Sequence, residues 1–222
     1  MKKYILILIA ALFALQACED GGGNNTKGIA EINGDVDDLT IYWDGGTVTV
    51  AYANTNYVRF YEKSTTDLVE SNSLSCRYQN NELEIYFGPD GSVEAGDLDK
   101  DLYVLIPASY SPDNITIVTT DASVDVDIDS EKASITTDTG DILYSNCMNP
   151  FKATLTSISG NIGVELLSTS SFVLDWRTGS GEFTNTDFSF VDYLGMYKYG
   201  TGDSQLNVRT VSGNLVLAQR SN

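Results

Sequence analysis

The first side chain whose type and setting imply chemistry is Cys18. Lys2 and Lys3 precede an uncharged run from Tyr4 to Leu15, and Leu15-Gln16-Ala17-Cys18 ends it with a small residue before the thiol. The run is short for a bilayer span and lies at the extreme N-terminus, which fits a cleaved signal better than a transmembrane anchor. An ordinary signal has no use for cysteine here, whereas a lipoprotein signal requires one. The expected chemistry is diacylglycerol on the Cys18 thiol and an acyl chain on its new amine, and two lipid groups hold a protein stably on a membrane. Residues 1–17 are thus expected to be a signal peptide, with the membrane a partner through Cys18. The expected address is the cell envelope, at the outer membrane. Glu19 and Asp20 resemble the acids that follow the cysteine in some surface-exported lipoproteins, but the sequence leaves the face open.

Catalytic side chains are harder to find. Histidine is absent from all 222 residues, which removes the commonest general base, the usual transition-metal ligand and the Ser-His and Cys-His pairs. Gly179-Ser180-Gly181 and Gly200-Thr201-Gly202 lack the lysine and strand–helix setting of a phosphate loop. Asp97-x-Asp99-x-Asp101 opens like a calcium loop, but Leu102 stands where glycine is needed and Ala108 where a bidentate acid belongs. Asp125, Asp127 and Asp129 recur at every second residue and read as the wet side of a strand. With 31 acids present, nothing singles out a glycosidase pair. No catalytic residue, metal or cofactor is assigned, and the chain is read as a non-enzyme.

Two sets of residues and the net charge remain. Cys76 and Cys147 could form one bridge in an exported protein, although two unpaired thiols in the core are the favoured reading. Trp176, Tyr193, Tyr197 and Tyr199 cluster late in the chain. Exposed, they would offer a platform for a glycan or protein ligand; packed inward, they would form a lid, which is the favoured role for rings. Tyr197 and Tyr199 would share one face of an extended segment, with Lys198 on the other. The formal charge is −18, and removing a signal with two lysines and no acid takes it to −20. Such a surface repels phosphate backbones, so nucleic acid is excluded as a partner. Only 11 basic residues follow the signal, scattered along the sequence, which argues against a basic cleft for acidic polysaccharides.

The elements that must carry these residues are strands. Residues 18–28 read as the lipidated cysteine and a Gly- and Asn-rich flexible tether, and residues 29–222 as a single domain. Helical periodicity is absent from that domain. Two β-rich runs between Thr40 and Tyr52 flank Asp44-Gly45-Gly46, a hairpin signal, and further runs cover 57–61, 83–87 and 102–106. The second half repeats itself. The segments 118–126, 135–143, 155–163 and 208–216 share one frame, and 174–183 fits it with one extra residue. The spacings are 17, 20 and 19 residues, then a step of 34 that amounts to two repeats. A short period built from strand, Ser-Gly corner and strand predicts an all-β solenoid, with Gly140, Gly160 and Gly213 at the corners as residues that turn freely. Val124, Val126 and Ile128, and Ile162, Val164 and Leu166, would point inward. An antiparallel β-sandwich is the competing architecture.

Residues 210–215 (Thr-Val-Ser-Gly-Asn-Leu), 157–162 (Ser-Ile-Ser-Gly-Asn-Ile) and 102–107 (Leu-Tyr-Val-Leu-Ile-Pro) resemble a large bacterial family of adhesin-like β-solenoid domains of unknown function, related to the head-GIN domains of auto-transporter adhesins. The resemblance covers about Leu39 to Leu217. It departs at Ala122-Ser123, where a Ser-Gly corner is expected, and in the aromatic excursion from Phe183 to Gly202. It implies a non-catalytic adhesin-like or scaffolding lipoprotein and supplies no site residues. The alternatives are a glycan-active enzyme on the same scaffold and a periplasmic accessory module of an envelope-stress or transport system.

Overall fold

The computed structural model describes residues 25–91 and 98–220. Cys18, the signal segment, residues 18–24 of the tether and Asp97 lie outside the described residues. Within them the chain forms strands and no α-helix, in two long facing sheets. The first runs, in spatial order, β1 (Asn25–Ile32), β4 (Val58–Ser64), β7 (Lys100–Pro107), β3 (Thr47–Ala53), β9 (Ser123–Asp127), β11 (Ile142–Asn146), β13 (Ile162–Leu166), β19 (Leu215–Gln219), β15 (Phe183–Asn185). The second runs β5 (Ser75–Gln79), β6 (Glu82–Tyr86), β2 (Asp38–Trp43), β8 (Asn114–Thr119), β10 (Lys132–Thr137), β12 (Lys152–Ser157), β18 (Ser204–Thr210), β14 (Phe172–Thr178), β17 (Met196–Tyr199), β16 (Val191–Tyr193).

This is a solenoid. Successive strands such as β8 and β9 fall in opposite sheets, and their neighbours in each sheet are the equivalent strands of other turns, parallel and in register. A sandwich of hairpins would pair successive strands antiparallel instead. The alternation of side chains selects the inner face: Val126, Val164 and Leu217 are at most 1% exposed, while Asp125, between Val124 and Val126, faces water. Each fully buried aliphatic side chain contributes about 1.5–3 kcal/mol. Stacked at about 4.8 Å per strand, the turns make a rod roughly 40 Å long.

Two expectations are corrected at the corners. Asp44-Gly45-Gly46 is not a hairpin turn but a corner that carries the chain from β2 in one sheet to β3 in the other. Gly46 does adopt φ +84° there. Gly140, Gly160 and Gly213, by contrast, do not have positive φ; they are glycine because the turns stack so closely. A Cβ on Gly160 would lie 1.9 Å from the Gly140 carbonyl oxygen, and one on Gly213 1.9 Å from that of Gly160. Buried hydroxyls complete each corner: Thr137 Oγ1, Ser157 Oγ and Thr210 Oγ1 accept from the amides of Gly140, Gly160 and Gly213 at 2.8–3.0 Å.

Chain order and spatial order also part. The last turn, β18 and β19, is not stacked last but wedged between β12–β13 and β14–β15. The corners stack in the same order. Ser212-Gly213-Asn214 repeats Ser159-Gly160-Asn161, and the Asn214 side-chain amide donates to Asn161 Oδ1 at 3.2 Å, while the Glu182 backbone amide donates to Asn214 Oδ1 at 2.8 Å. At the opposite end β6 and β7 lie outside β2 and β3, although they follow them in sequence. Residues 25–27, expected as tether, already pair with β4, so the strand begins before the anticipated boundary.

Cys76 and Cys147 are free thiols, and both are half-buried rather than sealed in the core. Cys76 lies on edge strand β5, whereas Cys147 follows β11, whose turn sits four strand spacings away. That is about 19 Å, and the bridge considered between them would need Cα atoms within about 7 Å.

Candidate binding surface

The late aromatics do not form one platform. Phe172 and Leu174 on β14 are fully buried, and their partners across the antiparallel pair with β17 are Tyr199 and Tyr197. Partners that stand directly opposite share a face, so both tyrosines turn inward. Tyr199 packs its ring edge-on to Phe188 at 4.9 Å and donates to the Ser168 carbonyl at 3.0 Å. Tyr197 lies against Phe183 and Phe190 at 5.1 and 5.5 Å, yet remains 40% exposed. Trp176 is half-buried and packs on the core from β14. Tyr193 alone turns outward, with Lys198 Nζ 5.0 Å from its ring. Tyr197 and Tyr199 thus belong to an aromatic cap on the end of the stack, and Trp176 to the core beside it.

The aspartates are likewise separated. Asp101 Oδ1 accepts from the amide and hydroxyl of Thr47, and Asp129 Oδ1 accepts from the Cys147 amide. Asp127 pairs with Arg220. Asp125 stays exposed, its carboxyl pushed up by partial burial and then by neighbouring Asp127 and Glu165. Among the described residues no group of three or more acidic or sulfur ligands is arranged around a common point.

What the fold does assemble is a continuous outer face on the second sheet. Its outward residues fall into straight rows, because every strand from β6 to β12 is parallel and in register. One row reads Glu82, Asp38, Asn114, Lys132, Lys152. The next reads Glu84, Thr40, Thr116, Ser134, Thr154, and the third Tyr86, Tyr42, Val118, Thr136, Thr156. Tyr42 and Tyr86 stack at 5.3 Å, and Val118 is 40% exposed. A shallow depression of about 200 Å³ lies over the acidic part, lined by Asp38, Thr40, Glu82, Glu84, Asn114 and Thr116. Asp38 accepts from the Asn114 amide nitrogen at 2.5 Å, and Glu84 pairs with Arg77 at 2.8 Å.

A second set missed in the sequence is buried. Lys100 and Glu62 form an ion pair of 2.7 Å with both side chains fully enclosed. Lys100 Nζ also donates to the carbonyls of Asn72 and Phe87. The rings of Trp43 and Phe87 face it at 5.1 and 4.1 Å. Glu62 Oε1 accepts from the Leu74 amide at 2.9 Å. Burial pushes the Glu62 carboxyl up and the Lys100 ammonium down, and their mutual attraction opposes both. Sealed from solvent, the pair fastens the 65–74 loop over the end of the core.

The fold is shared with a known structure. A candidate cell adhesion protein from Clostridium sporogenes superposes with a TM-score of 0.66 at 16% identity, covering 89% of this chain and 99% of its own. A candidate adhesin from Bacteroides fragilis gives 0.42 at 8% identity over 87% and 96%, and one from Parabacteroides merdae 0.34 at 9% over 90% and 98%. No curated protein matches the chain. Residues 36–221 match the family profile described as Toastrack DUF4097, so nearly the whole described domain places this chain in the Toastrack DUF4097 family.

Proposed function

We propose that this chain is a non-catalytic, adhesin-like binding lipoprotein, held at the outer membrane by lipid on Cys18. The observation that carries the binding reading is the set of straight outward rows on a frame whose core is closed to water. A partner meeting such a surface finds it already ordered, which spares the conformational cost of binding. The cell-adhesion name given to the Clostridium sporogenes structure agrees with this reading, and a relation to the head-GIN domains belongs to the same proposal. Anchoring rests on the lipobox at Leu15–Cys18.

Two measurements test it. Cells producing the protein should adhere to one another, or to a host-glycan or matrix-protein array, more than cells lacking it; equal adhesion in both assays would remove the binding reading. Cys18→Ser should leave the protein unprocessed or released, and membrane fractionation showing it anchored and matured normally would remove the lipid anchor.

A further inference from the structure

The outer row Glu82, Asp38, Asn114, Lys132, Lys152 carries charges in the order minus, minus, zero, plus, plus. Neighbours in a row sit about 4.8 Å apart, and like charges at that distance destabilise a sheet. The row contains two such contacts, Glu82 beside Asp38 and Lys132 beside Lys152, although alternating the same four residues would have made each contact favourable. Among the described residues no ion pair neutralises Glu82, Asp38, Lys132 or Lys152. Lys132, Lys152 and Glu82 are exposed. Folding gains little from this segregation, offset only by the Asn114 amide on Asp38 and the attraction of Arg77 for Glu82, and the pattern points outward.

We infer that the occupant of this face is a second copy of the chain, packed antiparallel about a two-fold axis that runs along the strands and passes over Asn114. This rests on the binding reading above and names its partner. Such an axis reverses the order of strands while keeping each row opposite itself. Lys132 then meets Asp38 of the other copy and Lys152 meets its Glu82, and the symmetry makes four ion pairs. The depression bounded by Asp38, Glu82 and Glu84 receives the exposed lysine chains. In the third row Val118 meets its own copy, with the Tyr42–Tyr86 stack over the methyl groups of Thr136 and Thr156. One strand further out, β5 meets β18: Gln79 faces Gln205, Arg77 faces Asn207 and Ser75 faces Arg209, with no clash of like charge.

The overlap spans seven strands of about five residues, roughly 500 Å² per copy and about 1,000 Å² in total, at the lower limit of specific interfaces. The contact is thus weak, reversible and salt-sensitive. Antiparallel packing also sends the two β1 ends in opposite directions, which suits contact between two facing surfaces rather than neighbours on one.

The test is charge exchange on the whole chain purified in detergent, followed by analytical ultracentrifugation at low and high salt. The native chain should dimerise at low salt and dissociate at least tenfold more readily in 0.5 M salt (about five times the roughly 0.1 M at which the screening length is 10 Å). Lys132→Glu with Lys152→Glu should be monomeric, as should Asp38→Lys with Glu82→Lys, each melting within a few degrees of the native chain. Mixing the two variants should restore a dimer containing one of each. A native chain that stays monomeric, variants that still dimerise, or a mixture that stays monomeric would overturn the inference. So would a monomeric native chain retained on immobilised alginate through Lys132 and Lys152, which would assign the lysines to an acidic glycan. Because cell adhesion is measured separately, a monomer whose cells still adhere sinks this partner and leaves the binding reading standing.

Discussion

The two ends of the stack close the same core with opposite chemistry. At the end edged by β1 and β5, Lys100 and Glu62 are enclosed as an ion pair and pin the 65–74 loop. At the end edged by β15 and β16, Phe172, Phe183, Phe188, Phe190, Tyr197 and Tyr199 close it with rings. A solenoid must finish somewhere, and each terminal turn needs a cover that does not template another turn. The ring cap is tolerant, since each ring contributes in proportion to what it buries. The ion-pair cap is brittle, because removing one charge strands the other.

That difference sets the scale of the predicted effects. Lys100→Met should cost about 3–5 kcal/mol in denaturant unfolding, while adding Glu62→Leu should recover much of the loss. If the double variant is as unstable as the single one, the pair is not what closes that end. Between the ends, Gly160→Ala should cost about 3 kcal/mol, because its Cβ would press on the Gly140 carbonyl and neither backbone can yield. Ser159→Ala, on the exposed side of the same corner, is the control and should change little.

At the ring cap, Tyr199→Ala should cost about 2 kcal/mol, and Tyr197→Ala about half of that, in line with their unequal burial. Both should lower the melting temperature. Intact stability with lost ligand retention would instead return these tyrosines to a binding role. The smallest effect is expected at Asp125. Its carboxyl is raised above the ordinary range, so its contribution to stability is present in acid and lost as pH rises through the folded value. At neutral pH Asp125→Asn should therefore gain a few tenths of a kcal/mol, discounted for exposure, and the gain should vanish near pH 3.

The repeated corners and alternating valines made the solenoid legible, because a residue's face on a strand depends only on its parity. The lid role of Tyr197 and Tyr199 was legible as one of two options, since most rings are buried. Other features were not. The Asp44–Gly46 hairpin signal is identical for a corner, because a positive-φ glycine serves both. The reason for Gly160 was misread as freedom to turn, when it is the backbone of the next turn that excludes a side chain.

By itself, then, the sequence determined the strand content, the inward residues and the period, all of which follow from local alternation and composition. Only tertiary structure decided the order of turns, with β18 wedged before β14, since that depends on pairing between strands far apart in the chain. The same holds for the charge row. Glu82, Asp38 and Lys152 are separated by dozens of residues in the chain, and Lys100 meets Glu62 across 38. Strand register, a global property of the stacked turns, is what turns such distant residues into neighbours about 5 Å apart.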